Sequence, residues 1–301
     1  MIARPENKPL VFGNANVRRP RVSFEFFPPK TDKMADKLWQ AADKLAQLSP
    51  AFISVTYGAG GSTRERTHQT VTHISEKTGL KVAAHLTCVG SSKGEITDIA
   101  ERYWDAGIRH IVALRGDLPE EDGKKALGDY HYAADLVGAL RSVADFDISV
   151  AAYPEIHPEA TSAEADIDNL KRKVDAGANR AITQFFFDNA AFLRFRDKAA
   201  SAGISVPIIP GILPVTNVAR AKEFSAMCGA SVPDWFSRLF AGLDDDPETL
   251  SMVSATVAAE QCRDLQDEGV TDFHFYTLNR ANLCVAICRM LGIHLDATVA
   301  A

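Results

Sequence analysis

No stretch of this 301-residue chain approaches the roughly 18 consecutive apolar residues that a membrane-crossing helix needs. The opening segment MIARPENKPLVFGNANVRRP also lacks the apolar centre of a secretory signal. Both absences point away from a membrane and towards a cytoplasmic protein. Cysteine is sparse: Cys88, Cys228, Cys262, Cys284 and Cys288 form no CxxC pair, and an odd number implies reduced thiols. Cys284 and Cys288 stand four apart, a helical spacing that reads as packing. Excess positive charge is missing as well, with 33 Lys and Arg against 39 Asp and Glu and a pI near 5.8, so nothing in the electrostatics calls for nucleic acid. Local basic patches could still hold a phosphate. The eight histidines contain no HxH or HExxH pattern, so a metal hydrolase lacks its ligand spacing and no metal site is expected. YGAGGSTRER looks like a phosphate loop, yet Thr63 stands where G-x-G-x-x-G requires its third glycine, and a Rossmann reading fails. Finally, no low-complexity tract or linker divides the chain.

What is present is a repeated punctuation. Helix-like segments end at Gly79, Gly107, Gly177, Gly203 and Gly269, and a β-rich run starts within a few residues of each. A glycine just past a helix end can take the left-handed conformation that closes the helix. Eight β-like runs result: 22–27, 52–57, 81–87, 110–115, 147–153, 180–187, 207–213 and 272–278. Segments of helical periodicity, such as DKMADKLWQAADKLAQL, separate most of them. Alternation predicts a parallel sheet, and eight units favour a closed α/β barrel of the (β/α)8 TIM type over an open sheet. The long interval between the seventh and eighth runs leaves room for extra helices around 234–241 and 247–268. Residues 1–20 are expected to form an N-terminal extension and 21–301 a single catalytic barrel domain.

Within such a barrel, helices cover the outside, so one strand face should be apolar and the other free to turn polar near the mouth. In VSFEFF, Val22, Phe24 and Phe26 form the apolar face, which turns Ser23 and Glu25 inward. Ser54 and Thr56, His85 and Thr87, Ser149 and Tyr153, and His274 and Tyr276 follow the same parity, and all are expected near the C-terminal strand ends, where barrel enzymes assemble their sites. A carboxyl group among phenylalanines should be desolvated, with a raised pKa and the ability to donate a proton near neutrality. The competing reading is a Glu paired with an Arg or Lys of a neighbouring strand.

Other strand ends add chemistry. ALRGD places Arg115, Gly116 and Asp117 after the fourth run, as an anion-binding guanidinium, a close-approach glycine and an acid, or else as a simple Arg–Asp surface pair. AYPEIHPEA presents Tyr153, Glu155 and His157 on a proline-stiffened loop, ahead of Lys171, Arg172 and Lys173, which form either a solvated face or a phosphate site. A barrel lyase or aldolase would need a Schiff-base lysine or a metal at a strand end, and none of the eight runs ends in lysine.

FEFFPPK, SVTYGAGGSTRERT, AHLTC, HIVALRGD, AAYPEIHPEA, NLKRKVDAGANRAITQFFFD, PIIPGILPV and FHFYTLNRA together resemble the methylenetetrahydrofolate reductase family, over essentially residues 21 to 293. The resemblance implies a flavin-containing barrel. FAD takes hydride from NADH or NADPH, the oxidised nicotinamide leaves, and 5,10-methylenetetrahydrofolate is then reduced to 5-methyltetrahydrofolate in a ping-pong reaction that feeds methionine synthesis. Glu25 matches the family's general acid, which promotes opening of the folate's five-membered ring to an iminium. Asp117 matches an acid between flavin and pterin. Thr56, Tyr57, Ala59, His85, Arg115 and Gly116 match positions along the flavin, and Ala133, Tyr153, His157, Ala160, Asp166, Asn169, Arg172 and Lys173 match the other FAD contacts. Gln184 matches a residue shared by nicotinamide and folate, Phe224 an aromatic that stacks on either, and Arg280 a residue facing the folate tail. Arg220 departs from the pattern, standing where a folate-contacting glutamine is expected, and the loop 118–132 is less well matched. The resemblance further implies a homo-oligomer, with a tetramer as the candidate, and no inhibition by S-adenosylmethionine, since no regulatory domain follows the barrel. A non-catalytic flavin or folate binder on the same fold is the remaining alternative; Glu25 and Asp117 speak against it.

Overall fold

The computed structural model describes residues 19–57, 64–117 and 128–294, with the backbone of a two-residue antiparallel ribbon, Glu120–Glu121 against Lys124–Lys125. Eight parallel strands close a barrel: Arg21–Phe26, Phe52–Val55, Val82–Thr87, His110–Leu114, Asp147–Ala152, Arg180–Phe185, Ile208–Ile212 and Asp272–Tyr276, taken here as the first to the eighth. Each pairs with its neighbours in chain order, and the first closes on the eighth with Glu25 opposite Tyr276. All eight expected runs are strands, most of them ending one or two residues early. Thr56, Tyr57, Arg115 and Tyr153 therefore stand just beyond strand ends, on the loops of the mouth.

Helices alternate with the strands: α1 (Asp32–Ala46), α2 (Arg64–Thr78), α3 (Lys93–Asp105), α4 (Ala133–Val143), α5 (Ala163–Asp175), α6 (Asn189–Ser201), α7 (Val218–Cys228), α8 (Asp234–Leu239), α9 (Pro247–Asp267) and α10 (Ala281–Met290). Their starts are chemically marked. Thr31, Ser162, Asn217 and Asp246 each accept a backbone N–H of the first turn, and Ser92 with Glu95 forms a reciprocal capping box. All five punctuating glycines have positive φ, between 66° and 115°.

Val22, Phe24 and Phe26 are almost fully buried against the helices, as the parity required, and belong to the main core between barrel and helix ring. Inside the barrel a smaller cluster of Phe52, Ala83, Val112 and Ile182 fills the lower layers, so the barrel is plugged and only its upper end is open to chemistry. The extra helices come as expected between the seventh and eighth strands. A separate cluster seats them: Phe185, Phe187, Leu213 and Val215 from two strand ends meet Phe236 and Phe240, with the Phe187 and Phe236 rings 4.5 Å apart. Gly211 is forced by close approach, since a Cβ there would lie 2.2 Å from the Thr183 carbonyl and 2.6 Å from the Tyr276 ring. That gap lets Tyr276 cross the barrel and donate its hydroxyl hydrogen to Thr183 O at 2.7 Å.

Candidate active site at the open end of the barrel

Glu25 points into the barrel, its side chain 18% exposed, and meets two imidazoles rather than an Arg or Lys. His274 Nε2 lies 3.5 Å from its Oε2; His85 Nε2 lies at 3.3 Å but is misaligned for a good hydrogen bond. His274 is fully buried, and its Nδ1 is 2.7 Å from Ser23 Oγ. One strand thus contributes both ends of a Ser23–His274–Glu25 chain, because residues two apart share a face. The expected rise in the carboxyl pKa does not appear. Burial pushes it up, but the two imidazoles that face it, His274 and His85, outweigh that and hold it down at about 2. The phenylalanines cannot act as foreseen, since Phe24 and Phe26 belong to the outer core. Thr277 and Asn279 lock the strand behind the acid: Thr277 Oγ1 donates to Glu25 O at 2.6 Å, and the Asn279 amide takes both backbone groups of Phe27 at 3.0 and 2.9 Å. Leu278 and Asn279 pay for this with left-handed φ values of 49° and 57°.

Not every polar inward residue reaches the mouth. Ser149 bonds His110 Nε2 at 2.8 Å, in the layer at the closed end with Arg180. Strand tilt is the reason: equal distances along different strands are not equal heights in a barrel.

Beside Glu25, a groove of about 440 Å³ runs outward across the ends of the third to fifth strands. Its floor is apolar or flat, with Ala113, Leu114, Gly116 and Ala151. Gly116 has φ 88°, and a Cβ there would come within 2.8 Å of Val89, so no other residue lays the backbone so close to Thr87. Tyr57, Asp117, Ala133, Ala160, Asp166 and Asn169 line the walls. The outer end is cationic. Arg172 covers the Tyr132 ring at 5.2 Å, while Lys173 turns inward and donates to Ala151 O at 2.6 Å, its ammonium pKa pushed down to about 8 by burial. Lys171 pairs with Asp175 outside the groove. The basic run is therefore neither one solvated face nor one phosphate cluster, because helical spacing sends its three side chains in three directions.

Arg115 departs from the Arg–Asp pair, bonding Glu159 at 2.5 Å instead of Asp117. His157 Nδ1 accepts from Glu159 N at 3.0 Å, its ring meets Tyr153 edge-on at 4.4 Å, and its backbone N–H donates to Asp166. Burial pushes the Tyr153 hydroxyl up to about 12. The Tyr57 hydroxyl is buried beside the Arg64 guanidinium without a well-aligned hydrogen bond. A group with a long flat apolar part and an anionic end fits this floor and these donors, and FAD has both. Thr56 and His85 lie outside the lining of the groove, towards Glu25; Ala59 falls outside the described residues.

Gln184, at the end of the sixth strand, bonds the backbone N–H of Phe185 at 3.0 Å. On α7, Arg220 is exposed and Phe224 is 37% exposed, while Val218, Ala221 and Ser225 carry the packing. Arg280 is exposed at the start of α10. Sequence reasoning missed the clamp between the groove and α7: the Glu155 carboxylate accepts from Ser231 N with both oxygens, at 2.9 and 3.0 Å. Only the carboxylate on the proline-flanked loop hinted at it. Ser23 and His274 were visible in the strand parity but not as partners of the acid.

The family model for methylenetetrahydrofolate reductase matches residues 13–292. The chain belongs to the methylenetetrahydrofolate reductase family. Relatives named 5,10-methylenetetrahydrofolate reductase include those of Pectobacterium carotovorum, 57% identical with 92% of each chain covered, and Escherichia coli K12, 58% identical with 90% of each covered. Methylenetetrahydrofolate reductase (NADH) 1 of Arabidopsis thaliana is 34% identical, with 90% of this chain covering 48% of that longer protein. Among solved structures, an uncharacterized protein from Clostridium thermocellum that binds two copies of 5-methyl-5,6,7,8-tetrahydrofolic acid aligns with a TM-score of 0.61 over 93% of this chain and 96% of its own. At 13% identity it bears on the fold alone. Among the described residues no helix is long and apolar enough to cross a membrane, and no metal-binding cluster occurs.

Proposed function

We propose that this chain reduces 5,10-methylenetetrahydrofolate to 5-methyltetrahydrofolate, with FAD in the groove and NADH or NADPH as reductant, in the supply of methyl groups for methionine synthesis. The observation that carries the reading is the buried Glu25–His274–Ser23 chain opening onto the same mouth as a groove with an apolar floor and a cationic end. FAD, when bound, supplies the hydride chemistry. The chain's own residues do the rest. Arg172 suits the phosphates, Lys173 lends its buried charge to the groove wall, and Gly116 lets a flat ring approach the strand ends. Gln184 and Phe224 flank the mouth as the surfaces that nicotinamide and folate would use in turn.

Glu25 is the residue placed to give a proton to a folate ring nitrogen. Its carboxyl rests ionised against two imidazoles, so the proton must come from the trio as a unit. Substrate covering the mouth would strip the last water from the carboxyl, and desolvation is the influence that drives its pKa upward. Proton uptake by Glu25 is then tied to substrate being in place, with His274 and His85 facing the carboxylate and Ser23 holding the other nitrogen of His274.

An absorbance spectrum tests the reading. Purified protein should show flavin bands that bleach on anaerobic addition of NADH or NADPH and return when methylenetetrahydrofolate is added. Bands that bleach but do not return would leave a flavin reductase without the folate reaction, and protein unable to take up FAD would end the proposal.

A further inference from the structure

The loop from Tyr153 to Ala160 is fixed on two sides by separate sets of bonds. On the groove side Arg115 holds Glu159, Asp166 accepts the backbone N–H of His157 at 3.0 Å, and His157 Nδ1 accepts that of Glu159 at 3.0 Å. On its other side the loop meets the end of α7. There the Glu155 carboxylate, outside the lining of the groove, accepts the Ser231 N–H with both oxygens, at 2.9 and 3.0 Å. Gly229 makes the approach possible. It closes α7 with φ 72°, and a Cβ on it would stand 2.9 Å from the Ile156 carbonyl oxygen and 3.3 Å from the Pro158 ring.

α7 has little else to fasten it. Its buried residues are Val218, Ala221 and Ser225, small side chains that remove little apolar area from water, and Phe224 in its second half is 37% exposed. Beyond the helix, Cys228, Ala230 and Val232 are only partly buried against the cluster that seats the extra helices. An element held by so few buried apolar groups opens locally at low cost. The bond from Glu155 is charge-assisted, and so stronger than one between neutral groups. It reaches α7 at the end nearer Phe224.

We infer that Glu155 is a positioning residue for the reductase reaction: its carboxylate sets where α7 lies and, through α7, where the Phe224 ring stands at the mouth. The inference rests on the proposed use of Phe224 by nicotinamide and folate in turn. It gives one loop two separable duties. Arg115, His157 and Asp166 keep its groove side in place for the cofactor, and Glu155 serves the substrate side.

The test compares FAD-loaded wild type with Glu155→Ala, Glu155→Gln, Phe224→Ala and the double variant of Glu155→Ala with Phe224→Ala. Glu155→Ala should raise KM for NADH and for methylenetetrahydrofolate about three- to tenfold, the worth of one exposed charge-assisted hydrogen bond, with kcat nearly unchanged. FAD retention on dilution and the melting temperature should hardly move, while amide hydrogen exchange quickens in α7 and not in α5. Glu155→Gln keeps one acceptor oxygen and should fall between. In the Phe224→Ala background the effect of Glu155→Ala on KM should vanish, because the carboxylate acts through that ring. Unchanged KM in Glu155→Ala overturns the inference, as does the same rise in KM with and without Phe224. Faster loss of FAD would place Glu155 in the cofactor wall, and a large fall in melting temperature in both Glu155 variants would make it a residue of the fold; either result overturns the inference too. Wild type that oxidises NADH but turns over no methylenetetrahydrofolate would sink the folate reading instead, and the KM for NADH across the same variants would still decide the role of Glu155.

Discussion

The barrel interior holds two histidine–serine pairs of nearly equal geometry, one at each end. At the open end, His274 Nδ1 and Ser23 Oγ are 2.7 Å apart; at the closed end, His110 Nε2 and Ser149 Oγ are 2.8 Å apart. They differ in the charge that faces the imidazole. His274 looks at the Glu25 carboxylate, whereas His110 looks at Arg180, 3.0 Å from its Nε2, which in turn pairs with Asp147 at 2.8 Å. Burial, with Asp147 opposing and Arg180 adding to it, pushes His110 down to about 3, so at neutral pH it is a fixed neutral group. It packs edge-on against Phe52 at 4.6 Å and serves the fold. Under the proposed function, the same residue pair handles protons only where the opposing charge is an acid and the strand ends are open to a ligand.

Breaking the open-end trio should have the largest effect. Glu25→Gln should still hold FAD and be reduced by NADH at a near-normal rate, while hydride transfer to methylenetetrahydrofolate falls by about 10²–10⁴-fold, the usual worth of a positioned acid. Arg180→Met, the matching lesion at the closed end, should do the reverse. It should lower stability by about 1–3 kcal/mol, discounted because both partners are partly exposed, and leave both half-reactions intact. Stopped-flow and urea unfolding on the two variants decide the matter; a kinetic defect in Arg180→Met equal to that of Glu25→Gln would erase the distinction.

The two ends should also part in acid. His110 has a folded pKa of about 3 against 6.5 for an ordinary histidine, so the unfolded chain binds more protons between those values and stability falls as pH drops through that window. Glu25 has a folded pKa of about 2 against 4.5, so its contribution is complete above 4.5 and disappears as pH falls towards 2. Urea midpoints measured against pH should show the upper part of this acid limb flattened in His110→Gln and the lower part in Glu25→Gln. Identical limbs in both variants would mean that the two ends are not electrostatically distinct.

The smallest stability change is expected at Phe224. It lies outside every hydrophobic cluster of the described residues, so Phe224→Ala should shift unfolding by no more than about 0.5 kcal/mol. Loss of stacking should weaken nicotinamide and folate alike, by on the order of 1 kcal/mol. A large fall in melting temperature with unchanged affinities would make Phe224 a packing residue, like its neighbours Ala221 and Ser225.

Much of the frame could be read from residues in a row. Alternation along VSFEFF turned Glu25 inward and Phe24 outward, the glycine stops marked helix ends, and ALRGD and AYPEIHPEA placed the residues that now line the groove. Those signals are local, because a strand's side-chain period and a helix's closing conformation are properties of adjacent residues. Three readings at the site could not be made that way. Residues in a row leave Lys173 between a solvated face and a phosphate site, but helical rotation and the Ala151 carbonyl bury it. Arg115 is left between an anion-binding guanidinium and a pair with Asp117, and it bonds Glu159. Glu25 was expected to be a desolvated, protonated acid, and two histidines make it a carboxylate.

Sequence by itself therefore determined the closed parallel barrel and the carboxyl group that stands inside its open end. Tertiary structure alone decided that acid's charge. The pKa of a buried carboxyl is a contest between desolvation, which the neighbouring phenylalanines suggested, and the partners that face it, and His274 lies 249 positions away along the chain. Only the closure of the first strand onto the eighth brings that imidazole to the carboxylate.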